Sequence, residues 1–448
     1  MITTSIRRFL PRSRTAVGAV GALLLGWSAT ACSPSSLVDV TASASIIDPA
    51  SVRTPSGANS VYLAAVGKFA ALVGGGPFGS GNVVTWVGVF TDEYGGTSTG
   101  TLAPTGIDVR NVTRFVTTSG TVTNVFSTPY NMIQAARIQA QQAHGVLERY
   151  LPGVPALAGN AFAMEGYTEL VFGELFCSGV PLSTAGFDEE FQYAPGSSTD
   201  EMLTHAATLF DSAIAKSADS ARILNFARVE KGRALLQLGQ FSAAAAAVQA
   251  VPTAFAYNLE FSASVSNQSN FIGSNATSAT VIDREGSNGL PWISAHDARV
   301  VIATSGTTAR SQKYTTATAP VTIASGIEAR LIEAEAALHN NDVPGWAAIL
   351  NTLRATAISP AIPALTADST TTASPDMRLD VTFRERAFWL YATGHRQGDL
   401  RRLVHVYGRD PQATYPVGPT YGIDFVAQPA ATEASLNPLY HGCFDSNL

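Results

Sequence analysis

Carboxylates beside aromatic rings are the residues of this chain whose types and spacing could do chemistry. Asp92 and Glu93 stand next to Tyr94, with Trp86 and Asn82 a few residues earlier. Glycosidases set two carboxylates across a sugar bound on aromatics. Adjacent residues on a strand or loop rarely point at the same bond, so the same set also reads as a saccharide-holding set with no catalytic role. A second group gathers Trp292 with Asn288, His296, Asp297 and Arg299. Sugars are held by stacking their C–H faces on rings, with polar side chains taking the hydroxyls. The expected ligand contacts are therefore Trp86, Asp92, Glu93, Tyr94, Asn288, Trp292, His296 and Arg299. Val83, Val84, Val87 and Val89 surround Trp86, and those are equally the neighbours of a core residue. Trp346 and Trp389 fall in predicted helices and are expected in the core.

Other chemical patterns fail on their context. Gly96-Thr97-Ser98-Thr99-Gly100 fits G-x-S-x-G, but a nucleophile elbow needs a strand before it and a helix after it, and a polar stretch with Pro104 follows here. The glycine-rich loop from Gly74 to Gly81 lacks the Lys-Ser/Thr of a phosphate loop. The seven histidines are scattered, none forms an H-E-x-x-H pair, and the cysteines do not cluster as zinc ligands. No catalytic residue, metal or cofactor is expected.

The elements that must position these residues begin with an export signal. A basic stretch runs to Arg14, an apolar run covers Ala16 to Gly26, and Ser28-Ala29-Thr30-Ala31 precede Cys32. The apolar run is too short to span a bilayer and reads as a cleaved signal over residues 1–31. Small residues ending at a cysteine are the pattern of a bacterial lipoprotein, with Cys32 as the lipidated N-terminus. Ala29 stands where leucine is usual, and an ordinary secretory signal cut near Ala31 is the alternative. The whole chain of 448 residues carries a net charge of −6. The signal holds four arginines and no acid; without it 24 basic residues face 34 acidic ones, a net charge of −10. So acidic a body repels phosphate and excludes nucleic acid as a partner. At 46% hydrophobic and 14% charged residues, it has ample material for a packed core. Cys177 and Cys443 remain; in an oxidising compartment they read as one disulfide, with two buried thiols as the alternative.

Residues 32–55 read as a lipidated, flexible Ser/Pro/Thr/Ala tether. From 56 the pattern is helical, with Val61, Ala65, Phe69 and Leu72 on one face. Helices are predicted over 128–150, 157–178, 199–218, 221–250, 325–356 and 376–393, with Asp200 as a cap of the third. Residues 251–325 read as a loop-rich insertion with few short strands. Gly232, Gly239 and Ala244 fall at the small positions of a tetratricopeptide repeat, with Phe241 in the turn. Ile327 to Arg354 offers a second such hairpin, turning at Asn340-Asn341-Asp342; a generic Ala-rich hairpin is the alternative. The fold class is mostly α, a tetratricopeptide-like scaffold with a loop-rich insertion.

The most specific stretch is Glu385 to Arg402. Read alone, it is a helix with Phe383, Ala387 and Leu390 on its apolar face and Gly394 at a left-handed cap. Glu385, Arg386, Arg396, Asp399 and Arg401 would form a structural ion-pair network. The stretch resembles the E-R-x-x-E-L-x-x-E-G-H-R-x-x-D-L-x-R pattern of the SusD/RagB family of outer-membrane lipoproteins. Glu385, Arg386, Leu390, Gly394, His395, Arg396, Asp399, Leu400 and Arg402 match; Trp389 and Thr393 replace glutamates and Gln397 an aromatic, marking a divergent branch. Ala334-Glu335-Ala336 with Leu350-Asn351 through Ala355, and Tyr415-Pro416-Val417 with Glu433 and Asn437-Pro438, resemble further family segments. The resemblance implies one SusD-like domain over 56–448, with 251–325 presenting ligand. It implies a non-enzymatic surface lipoprotein of the outer membrane that captures an oligosaccharide or peptide for a TonB-dependent β-barrel transporter. A surface hydrolase using Asp92 or Glu93, and a helical-repeat adaptor that binds no sugar, are the rival readings.

Overall fold

The computed structural model describes residues 49–75, 82–95, 105–110, 127–187, 190–264, 268–275, 280–419 and 421–444. The signal, Cys32, residues 33–48 of the tether and the G-x-S-x-G stretch lie outside the described residues; the end of the expected tether is a short helix, Pro49–Val52, and the start of the next one at Pro55. Among the described residues no helix is long and apolar enough to cross a membrane.

Helices dominate. In chain order the principal ones are α1 (Pro55–Val73), α2 (Val83–Phe90), α3 (Ser127–Tyr150), α4 (Pro155–Leu175), α5 (Thr199–Lys216), α6 (Ala221–Gln237) and α7 (Phe241–Val248). After the insertion come α8 (Gly326–His339), α9 (Val343–Thr356), α10 (Pro375–Trp389) and α11 (Arg396–His405). From α3 to α9 each helix packs on the next, α1 closes the array against α3, and α10 and α11 lie against α8 and α4. This is the repeat scaffold expected from the sequence.

Local chemistry explains the boundaries. Thr54 accepts from Gly57 N at the start of α1, whose Val61, Ala65, Phe69 and Leu72 are all buried. The cap of α5 is Ser198 and not Asp200: its hydroxyl accepts from Glu201 N while the Glu201 carboxylate takes Ser198 N, a capping box. Asp200 sits in the first turn instead. The predicted run 221–250 is two helices, because Gly239 turns with φ +67°. Gly232 must be small: a Cβ there would come within 2.5 Å of Val248 Cγ1, where α6 crosses α7. The second hairpin turns as predicted, with Asn341 at φ +60° and Asp342 accepting from Gly345 N.

Three two-stranded antiparallel sheets complete the described body. They pair β1 (Val180–Pro181) with β2 (Gly196–Ser197), β3 (Ala256–Leu259) with β6 (Val321–Ser325), and β4 (Ile302–Ser305) with β5 (Thr308–Ser311). The last four strands lie in 251–325, so the insertion is loop-rich with short strands.

The tail is a strap. It passes Val109 and Arg110, pairs Ala427 with Phe176, places Glu433 on Tyr130 and Asn437 on Ala194, and at Phe444, its last described residue, donates to the Ser178 carbonyl. Cys177 and Cys443 are bonded as expected, across 266 residues of sequence. In the chain-entropy picture, closing so long a loop stabilises the fold by about 5 kcal/mol.

Candidate functional site

The predicted ligand contacts divide between core and surface. Trp86 is fully buried on α2 and stacks on Phe90 at 4.6 Å. Trp292 is 1% exposed; its indole donates to the Asp92 carbonyl, and Phe388 and Tyr391 lie 4.9 Å from its ring. Neither presents a face on which a sugar could stack, so the expectation for both is corrected to core. The reason is α2: Val83 to Phe90 forms a helix with every residue buried, which an apolar run of eight residues did not distinguish from a loop.

Asp92, Glu93 and Tyr94 are buried as well. Arg396 donates to Asp92 Oδ1 at 2.9 Å and Oδ2 at 3.2 Å, and Leu290 N donates to Oδ2 at 2.8 Å. Glu93 accepts from Ala392 N at 2.8 Å. Burial pushes the Glu93 carboxyl up to about 8, against the opposing effect of that bond. These acids hold the α2 end to the segment after α10, so neither is placed as a glycosidase carboxylate. Asn288 is half-buried and donates to the carbonyls of Gln412 and Tyr415. Arg299 is engaged by Asp297 and, at 2.8 Å, by Glu385. Of the expected contacts, His296 alone is exposed, with φ +47°.

The charges of residues 385–402 form the expected structural network. Asp399 accepts from Arg386 Nε at 3.0 Å and from Arg402 Nη2 at 3.0 Å, and Arg402 also pairs with Glu335 at 2.7 and 2.8 Å. Burial raises the Asp399 carboxyl, but the two guanidinium groups overcome it and hold the group well below the usual carboxylate range. Arg401 donates to the carbonyls of Gly173 and Phe176, tying α11 to the end of α4. Gly394 takes φ +83°, but α10 ends at Trp389 with Leu390 as its cap, so Gly394 turns the chain into α11 and does not cap the helix before it.

What the sequence did not indicate is a cavity of about 590 Å³ between the insertion and the helical scaffold. Its walls come from Thr253–Ala256 before and along β3, from Thr322–Ser325 on β6, from the start of α8, from the end of α9 at Thr356, and from Trp389–His395. Phe255 and Trp389 are half-buried, so their rings are the aromatic surfaces it offers. Trp389 packs on the smaller core cluster around Trp346, with the Arg299 guanidinium 5.1 Å from its ring, and lines the cavity with what remains uncovered, whereas Trp346 is fully buried and donates to Thr382. In the wall itself His395 Nε2 lies 3.1 Å from Glu328 Oε1, and His395 Nδ1 lies 2.8 Å from Thr393 Oγ1. Burial raises the Glu328 carboxyl; His395, Arg233 and Arg386 outweigh it and leave the group below its ordinary value. Lys313 is exposed along its chain but turns its ammonium in to the Tyr391 carbonyl. Burial of that ammonium lowers it to about 8, with Glu93 opposing.

No metal-ligating group of three or more His, Cys, Asp or Glu occurs among the described residues. No family model matches the chain, and no curated protein is similar to it in sequence. Solved structures are. A SusD superfamily protein from Bacteroides fragilis aligns with a TM-score of 0.64 at 15% identity, over 87% of this chain and 99% of that one. A laminarin-binding SusD-like protein aligns with a TM-score of 0.62 at 13% identity, over 87% and 99%. NanU of B. fragilis aligns with a TM-score of 0.58 at 12% identity, over 90% and 99%. Coverage of those chains nearly end to end, at these TM-scores, gives this protein the SusD fold.

Proposed function

We propose that the protein is a non-catalytic glycan-capturing lipoprotein. It is anchored through Cys32 on the outer membrane and passes oligosaccharides to a TonB-dependent β-barrel transporter. The observation that carries the reading is the fold shared end to end with a laminarin-binding protein. The cavity supports it, because Phe255 and Trp389 offer rings beside a wall of hydroxyls, the surface that saccharide stacking needs. The burial and internal pairing of Asp92 and Glu93 favour capture over hydrolysis. The tether gives an anchored body slack to swing over a transporter.

Three experiments test the reading. Palmitate should label the wild type and not Cys32→Ser, and a large β-barrel should co-purify with the tagged chain from native membranes. Incubation with polysaccharides should produce no new reducing ends. Cleavage would replace capture by hydrolysis, and a non-barrel protein partner without glycan binding would favour the adaptor.

A further inference from the structure

Among the described residues, the titratable side chains in the cavity walls are Lys313, Glu328 and His395. The Glu328 charge is offset by His395, 3.1 Å away, and by Arg233 and Arg386. Lys313 is left in excess. Glu93, the acid that favours its charge, is buried and pushed up to about 8, so it is protonated at neutral pH and leaves the ammonium unbalanced. One N–H of that ammonium goes to the Tyr391 carbonyl, and two remain. A further donor comes from α8, because the first turn of a helix has N–H groups with no partner inside it. Gly326 N donates to the Phe255 carbonyl and Glu328 N to Ser325 Oγ; Ile327 N, between them in the wall, is left over. It stands at the positive end of a 14-residue helix. Trp389 Nε1 and His395 Nε2 are buried donors in the same walls, and neither makes a hydrogen bond within the protein. Acceptors are fewer. Thr356 Oγ1 gives its proton to the Thr352 carbonyl and Thr322 Oγ1 to Asn258 Oδ1, both at 2.7 Å, which leaves lone pairs for sugar hydroxyls.

We infer that this cavity binds an acidic saccharide, whose anionic group is taken by the Lys313 ammonium and the Ile327 N–H while a sugar ring stacks on Trp389 or Phe255. This rests on the glycan-capture reading and deepens it to a substrate class. An anion leaving water needs charged or helix-terminal donors to replace its hydration, and this wall supplies one of each. The hydroxyls of the same sugar give their protons to Thr322 or Thr356. A neutral saccharide can stack in the same place, but it brings no charge to the unbalanced ammonium and gains less from it.

The test uses the full mature chain in calorimetry with matched ligands. Oligogalacturonate and alginate oligosaccharides are compared with their methyl esters, and carrageenan oligosaccharides with their desulfated forms. At least one acid should bind, about tenfold or more tighter than its neutral counterpart, the worth of one hydrogen bond to a charged group. The pair that shows the difference tells carboxylate from sulfate. This comparison is made on the wild type, so it holds whatever a variant does to folding. Lys313→Met should bring the acid down to the level of its neutral counterpart, and Lys313→Arg should keep part of the difference. Trp389→Ala should weaken both members of the pair. Neutral counterparts that bind as tightly as their acids, or binding confined to neutral glycans such as β-1,3-glucan and starch, would overturn the charge class while glycan capture stood. An acid preference untouched by both Lys313→Met and Trp389→Ala, in variants that melt as folded proteins, would overturn the cavity as its seat. Binding of no glycan, acidic or neutral, would sink the capture reading, and this inference with it.

Discussion

Replacing Asp399 by asparagine removes the carboxylate on which two buried arginines converge. Arg386 reaches it through Nε at 3.0 Å and Nη2 at 2.9 Å, and Arg402 through Nη2 at 3.0 Å. All three side chains are at most 2% exposed. Asparagine keeps the volume and one acceptor but brings no charge. Glu335 is then left to balance both guanidinium groups, at 2.7 Å from Arg402 but 3.7 Å from Arg386. Breaking such a buried pair costs about 3–5 kcal/mol. Spread over the unfolding entropy of a body this size, that is a fall in Tm of about 5 °C. The folded pKa of Asp399 is depressed below its unfolded value. Its contribution is therefore fully present above the unfolded pKa, near 4, and is lost as pH falls through the lower folded value. Urea melts of wild type and Asp399→Asn should thus differ by a constant amount from pH 5 to 8 and converge only in acid. Asp380→Asn is the control: that acid meets Arg409 at the surface, 69% exposed, and should cost under about 0.5 kcal/mol. A difference below about 1 kcal/mol for Asp399→Asn at pH 7 would refute the view that this network organises the C-terminal helices.

Trp86→Ala and Trp292→Ala should each destabilise the fold by about 3–5 kcal/mol, as loss of a buried aromatic does, where surface stacking residues would leave the melting curve in place. Glu230→Gln should stabilise: burial holds the Glu230 carboxyl well above its ordinary value, against the pull of Arg233. The wild type then loses stability as pH rises from the unfolded value toward the folded one, so the advantage of glutamine in thermal melts should grow from pH 5 to 8. Cys177→Ser should lower Tm and expose the strap, read as early trypsin cleavage after Arg409 and not after the buried Arg137 of α3 or Arg233 of α6.

Much of the fold was legible, because repeats announce themselves through spacing. Gly232 and Ala244 mark a close helix crossing, Asn340-Asn341-Asp342 marks a turn, and the charges of 385–402 read as a network before any partner was known. The candidate site was far less legible. Trp86 and Trp292 drew attention as aromatics in apparent loops, but Val83–Phe90 is a short helix buried on every side, and short apolar runs carry no period that separates helix from loop. Trp389 was hidden in the opposite way. It belongs to a strongly helical stretch, and only the packing of β3, β6 and the end of α9 around its last turn leaves the ring half uncovered. Phe255 gave no signal, since its role comes from strand pairing between residues far apart in the sequence, as in Ala256 with Ser325, 69 positions on. Periodicity reports which residues are inside one element; it does not report where several elements leave a gap.

The central claim is that this fold captures glycan without cleaving it. Calorimetric titration of the purified chain with β-1,3-glucan, starch, oligogalacturonate, alginate and carrageenan oligosaccharides tests it most directly, with reducing ends assayed on the same samples. Saturable binding to at least one of them, with the reducing-end count unchanged, is the predicted result. Absence of binding across the panel, or the appearance of new reducing ends, would contradict it.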